Sequence, residues 1–288
     1  MKFIKIFGAS VLLIVVCIVG IKFLNNKTAA KQYHNGLIQL AIGSKYQEAY
    51  EFFEKAASLQ KENSTYSYQA GNTALTLGKY DDAIKFFKLA LVSDRKKHGE
   101  YHHKVATHQN NLGLAWNAKK QYDKAIEYFE LALSNDLKTL GGNHSRIPGY
   151  YNNLGTAWNA KDDYDKAIKY FKLALAGHLN KLGRNHPQTS VTLSNLGLVW
   201  SAKGNFVKAI KYHELALLGA LEKSGENHQD VAVYRNNLGK AWHSLGDYDK
   251  AGEYFELAHK SALNNFGHDH PTTILFAENL AKAKSEQK

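Results

Sequence analysis

The chain has 288 residues, 44% of them hydrophobic, with three prolines. That is enough apolar surface for a large core and too few breakers to interrupt long helices. The single cysteine, Cys17, excludes an intramolecular disulfide. The formal charge of +11 divides into +5 over residues 1–31, which hold five lysines and no acid, and +6 over the remainder. In that remainder the lysines alternate with acids, which argues against a nucleic-acid surface.

Lys2 and Lys5 precede Ile6 to Ile21, 16 residues without a charge and dense in Val, Ile and Leu. Extended to Leu24, with Lys22 snorkelling, residues 6–24 reach the short end of a membrane-spanning helix. Two readings compete. A basic start and the small residues Thr28-Ala29-Ala30 suit a cleaved signal and a secreted product. The polar gap formed by Lys22, Asn25, Asn26 and Lys27 favours an uncleaved single-pass anchor, with residues 1–30 as anchor and linker. Basic residues flank both ends, so orientation rests on the very short N-terminal tail. That tail favours an extracytoplasmic repeat domain over a cytoplasmic-facing one.

Residues 31–288 repeat. Tyr46-Gln47-Glu48-Ala49 and Tyr80-Asp81-Asp82-Ala83 stand 34 residues apart, and the tetrad then recurs every 42 residues at Tyr122, Tyr164, Phe206 and Tyr248. Before each of these last four lies a second signature, Asn110-Asn111-Leu112-Gly113-Leu114-Ala115-Trp116 in its first copy, with equivalents around Trp158, Trp200 and Trp242. A period of this length signals stacked supersecondary units. The stripe Tyr122, Ala125, Ile126, Phe129, Ala132, Leu133 has the i, i+3, i+4 spacing of an amphipathic helix. Val105, Gln109, Leu112 and Trp116 form another, so each unit predicts a helical hairpin. Gly78, Gly204 and Gly246 sit where the first helix must turn, and Lys120 and Asp162 replace that glycine in two copies.

Leu112-Gly113, Tyr122, Ala125, Phe129 and Ala132, repeated along the chain, resemble the tetratricopeptide repeat. The first unit is similar to its 34-residue form, and the later ones to the 42-residue form of kinesin light chains and related bacterial proteins. The resemblance implies an all-α, right-handed superhelical solenoid of about six hairpins with a C-terminal capping helix, here preceded by the membrane helix. It implies a scaffold that binds a partner protein or peptide, not an enzyme.

His102, His144, His186, His228 and His270 also recur every 42 residues, each three after a glycine. Equivalent residues of successive repeats lie about one helix diameter apart, too far to converge on a metal. They read as turn elements, and no metal or cofactor is expected. No phosphate loop, nucleophile elbow or paired-histidine helix motif occurs.

The candidate site is a groove. Thr107, Asn111, Leu114 and Ala118 define a face rotated away from the core stripe. It continues through Asn153 and Thr156, then Val191, Asn195 and Leu198, then Val233, Asn237 and Lys240, and reaches Asn279. Asn110, Asn152 and Asn236 adjoin it. Asparagine is a poor helix former, so a row of five needs a cause. One reading is a clamp that donates to and accepts from an extended peptide backbone. The other is a bridge between neighbouring helices. An anionic polymer, a lipid surface or self-association are the alternative partners.

Overall fold

The computed structural model describes residues 2–43 and 45–286, with side chains described from residue 22 onward. Among them are thirteen α-helices and no strand. They fall into two compact units, Met1–Thr139 and Leu140–Lys288. The first holds α1 (Lys2–Ala41), α2 (Tyr46–Leu59), α3 (Ser64–Thr76), α4 (Tyr80–His98), α5 (His103–Ala118) and α6 (Tyr122–Leu140). The second holds α7 (Ile147–Ala160), α8 (Tyr164–Leu182), α9 (Pro187–Ala202), α10 (Phe206–Ser224), α11 (Gln229–Leu245), α12 (Tyr248–Phe266) and α13 (Pro271–Glu286). The expected anchor, 6–24, lies outside the described side chains except for Lys22, Phe23 and Leu24. Among the described residues no helix is long and apolar enough to cross a membrane.

Odd-numbered helices pair with the even ones that follow, and one contact sets each pairing. A Cβ added to Gly71, Gly113, Gly155 or Gly239 would stand 2.5–2.7 Å from the ring of Phe87, Phe129, Phe171 or Phe255 on the second helix. Only a missing side chain lets the backbones cross that closely, so the ring seats on bare helix. Gly36 meets Phe53 in the same way, and Gly197 meets His213. Six such crossings make six hairpins, and α13 closes the array.

The turns explain the remaining periodic residues. The first helix of a hairpin ends at Gly78, Gly204 or Gly246, with φ of 72°, 75° and 91°, or at Lys120 or Asp162, each with φ of 60°. The next residue's N–H then bonds back to the carbonyl five residues earlier, Lys79 to Ala74 at 2.9 Å and, where that residue is the tryptophan, Gln121 to Trp116 at 2.9 Å and Asp163 to Trp158 at 3.0 Å. This closes the left-handed helix stop. A non-glycine there costs about 1–2 kcal/mol, which the surrounding hairpin over-determines. Between hairpins, Gly99, Gly183, Gly225 and Gly267 end the second helices. The histidine three residues on opens the next: Nδ1 of His102, His186, His228 and His270 accepts the backbone N–H two residues later at 3.2–3.3 Å. His144 does the same toward Arg146 at 3.3 Å. Four of the five periodic histidines are therefore helix caps, whereas His144 stays in the turn, two residues before Arg146 opens α7.

Each tryptophan spans a hairpin boundary. Trp158 packs against Ala167, Ile168 and Phe171 of its own hairpin and against Leu196 and Val199 of α9. A lysine from the second helix covers each indole, with Lys166, Lys208 and Lys250 at 3.9–4.0 Å from the ring centroids and Lys124 at 4.3 Å. This is close enough for a cation–π contact.

Candidate functional site

In the second unit α9 touches both α7 and α11, so first helices are neighbours and their asparagines meet. Asn195 donates its Nδ2 to Oδ1 of Asn152 at 3.1 Å, and Asn279 donates to Asn236 at 2.9 Å. Asn237 donates to Ser194 Oγ at 3.4 Å. In all three rungs donor and acceptor are 43 residues apart. Each asparagine thus reaches the position one residue before its own equivalent in the preceding repeat. In the first unit Asn111, buried, donates to Asn72 at 3.4 Å and accepts from Asn110 at the same distance.

The donor half of the expected two-way clamp is therefore engaged within the protein. The ladder bridges neighbouring first helices, the second of the two readings of the sequence. The carbonyl oxygens of Asn195, Asn237 and Asn279 take no bond from the protein among the described residues. Asn153 is half-buried and engaged. Thr156 spends its hydroxyl on the Asn152 carbonyl of its own helix at 3.0 Å. Lys240 is exposed.

Beside these oxygens runs an apolar row. Val191, Val233 and Leu275 stand one turn before the three asparagines, 41%, 41% and 46% exposed. Leu198 follows Asn195 at 44% exposure, and Lys240 holds the equivalent place in the next repeat. Three β-branched or aliphatic side chains, each a little under half exposed, thus line one register of the first helices. Leu275 escaped the sequence reading, although it stands 42 residues after Val233.

A second polar feature, in the first unit, was also missed. Asp94 and His108 are both buried, with His108 Nε2 2.8 Å from Asp94 Oδ2, and Ser64 donates to Asp94 Oδ1 at 2.8 Å. Burial works to raise the Asp94 pKa. The hydrogen bonds from His108 and Ser64, with the charge of Lys104, hold it below the ordinary value. Burial lowers that of His108 against the pull of Asp94. The carboxylate sits between hydroxyl and imidazole, so the ring does not contact the serine whose proton a nucleophilic mechanism would require it to take. The trio fastens α3, α4 and α5 together. The equivalent pair in the second unit is His178 and Thr192, 3.0 Å apart.

The profile of the tetratricopeptide repeat matches residues 62–138 and 146–217, and a second profile of the same repeat matches 231–272. The chain belongs to the tetratricopeptide repeat family. Solved structures share the fold at low identity. BtubC (BKLC) from P. vanneervenii is 17% identical with a TM-score of 0.64, covering 87% of this chain and 94% of its own. A putative kinesin light chain with nearly identical TPR-like repeats, from Podosopora anserina, is 17% identical with a TM-score of 0.61 over 73% and 99% of the two chains. A Rap protein complexed with competence and sporulation factor is 16% identical with a TM-score of 0.58 over 88% and 74%. No curated protein matches this tetratricopeptide repeat chain in sequence.

Proposed function

We propose that this tetratricopeptide repeat protein is a membrane-tethered scaffold that holds a partner protein by an extended segment laid across its first helices. One observation carries the reading: the apolar row Val191, Val233, Leu275 runs beside the open carbonyl oxygens of Asn195, Asn237 and Asn279. An extended peptide offers N–H donors for such oxygens and alternate side chains for such a row. The rungs hold each asparagine in place, which lowers the entropy lost on binding. The complex of the structurally similar Rap protein with competence and sporulation factor supports a ligand-holding role for such an array. Tethering rests on the 16 uncharged residues from Ile6 to Ile21.

The test is selection of peptides from a random library on the full-length protein in detergent. Val233→Glu with Leu275→Glu should weaken the selected peptides tenfold or more without shifting the melting temperature, because both side chains are already in solvent. Undiminished binding by that variant would remove the face from the function. Selection of no peptide, with tight binding to anionic vesicles lacking any partner, would favour the lipid-surface alternative instead.

A further inference from the structure

We propose that one end of the first unit, formed by the α2–α3 turn and the last turn of α4, is a docking surface for anionic lipid headgroups. The inference rests on the tether reading, and it names a surface that the tether alone does not require.

The described side chains begin at Lys22, two residues before Leu24 closes the apolar run. From there α1 continues without a break to Ala41. Phe23 and Leu24, the last residues of the run, are 69% and 64% exposed. The α2–α3 turn lies at this level. Gln60 contacts Asn26, and a cleft of about 340 Å³ is lined by Lys22, Asn25, Asn26 and the turn residues Gln60 to Glu62. Asn25 and Asn26 are one and two residues past Leu24, about 1.5–3 Å along a helix axis. The headgroup layer is about 5–7 Å thick on each side of the hydrocarbon. The turn therefore falls within it once the run is inserted.

Charge converges on the same place from distant parts of the sequence. A second cleft, of about 450 Å³, shares Lys61 and Glu62 with the first and adds Lys96, Lys97 and the exposed Val92. Four lysines, Lys22, Lys61, Lys96 and Lys97, thus face one acid, Glu62, which Lys96 pairs at 3.1 Å. Cations in the last turn of a helix are favoured by its dipole, which alone would account for Lys96 and Lys97. The other second helices have the same dipole and lack them. Arg95-Lys96-Lys97 becomes Leu137-Lys138-Thr139, Leu179-Asn180-Lys181, Leu221-Glu222-Lys223 and Leu263-Asn264-Asn265 in the repeats that follow. Three cations give way to one, one, a cancelled pair and none. The charge is concentrated in the second hairpin, where the last turn of α4 adjoins the α2–α3 turn beside Asn25 and Asn26, as attraction to an anionic surface within a Debye length of about 8 Å demands.

The experiment uses the full-length chain with Cys17→Ser, reconstituted into vesicles of phosphatidylcholine with or without 30% phosphatidylglycerol. A fluorophore is placed at Val92→Cys, in the second cleft, or at Thr76→Cys, about 20 Å away at the other end of α3. Energy transfer to headgroup-labelled lipid is then read. Transfer from position 92 should exceed that from 76 at least threefold in anionic vesicles. It should fall twofold or more in neutral vesicles, and equally in anionic vesicles when Lys61→Gln, Lys96→Gln and Lys97→Gln are combined. Circular dichroism of the triple variant should match the parent, since all three side chains are exposed. Equal transfer from both positions, or transfer indifferent to lipid charge and to the triple variant, overturns the docking surface while the tether stands. Release of the protein from vesicles by alkaline carbonate overturns both.

Discussion

His213 takes the place that phenylalanine fills in the other five hairpins, with its ring against Gly197. It is 1% exposed, and burial pushes its pKa down to about 4. Its Nδ1 has no protein partner. In the unfolded chain the ring titrates near 6.5. Because the folded value is the lower one, the neutral ring's full contribution to stability is present above pH 6.5 and drains away as pH falls toward 4. The loss by pH 4 is about 3 kcal/mol. His213→Phe should therefore abolish that loss, and at pH 7 should add about 1–3 kcal/mol by removing an unsatisfied buried group. Urea titrations of both proteins from pH 4 to 7 check this, and their difference isolates His213 from His108 and His178, which burial also lowers. Parallel pH curves would contradict it. The substitution was legible in the sequence as a break in the aromatic series. Its physical cost was not, because solvent exclusion is set by the neighbouring hairpins.

Between elements the decisive contact is glycine against ring. Gly155→Ala puts a Cβ 2.7 Å from Phe171, whose ring is packed in a buried cluster with Ala167, Ile168, Leu196 and Val199. The overpacking should destabilise by about 1–3 kcal/mol. Gly149, six residues earlier on the same helix, has nothing within 4 Å of its would-be Cβ. Gly149→Ala should stabilise by about 0.5 kcal/mol through backbone entropy alone. Denaturant midpoints of the two variants should move in opposite directions, and a shared direction would mean the crossing is not where α7 and α8 are fixed. The helices, their turns and the turn role of the repeated Gly-x-x-His were readable from period and residue type, while the capping by histidine Nδ1 was not. The buried Asp94–His108 pair was not, because in sequence it is one acid and one histidine 14 residues apart on different helices. Only the stacking of α4 on α5 makes them partners.

At the scale of the molecule, the apolar run and the repeats act on each other through α1. Ala29 is fully buried and Asn26 touches Gln60, so the first hairpin begins to pack before residue 30. A chain starting at residue 22 should be monomeric and keep the parent's thermal midpoint. One starting at residue 31 should melt several degrees lower, as loss of a packed turn implies. Full-length protein should stay with membranes through alkaline carbonate, and its release would end the tether reading. The asparagine row was visible in the sequence as a row. Its direction was hidden, because a 43-residue rung in a 42-residue repeat is a product of how one first helix leans on the last.

That offset has an evolutionary consequence. Each 43-residue rung carries its donor in one repeat and its acceptor in the repeat before, so one 42-residue repeat can follow another. Excising residues 184–225 would rejoin Gly183 to Glu226-Asn227-His228, restoring the Gly-x-x-His stop and cap. It would also set Asn237 against Asn152 at the same 43-residue separation that Asn195 had. The shortened protein should fold with unchanged helicity per residue by circular dichroism. Unequal crossing-over between repeats can then lengthen or shorten the array without an intermediate that fails to fold. Copy number becomes a freely heritable trait, and the length of partner segment that the protein can span becomes something selection can adjust in single steps.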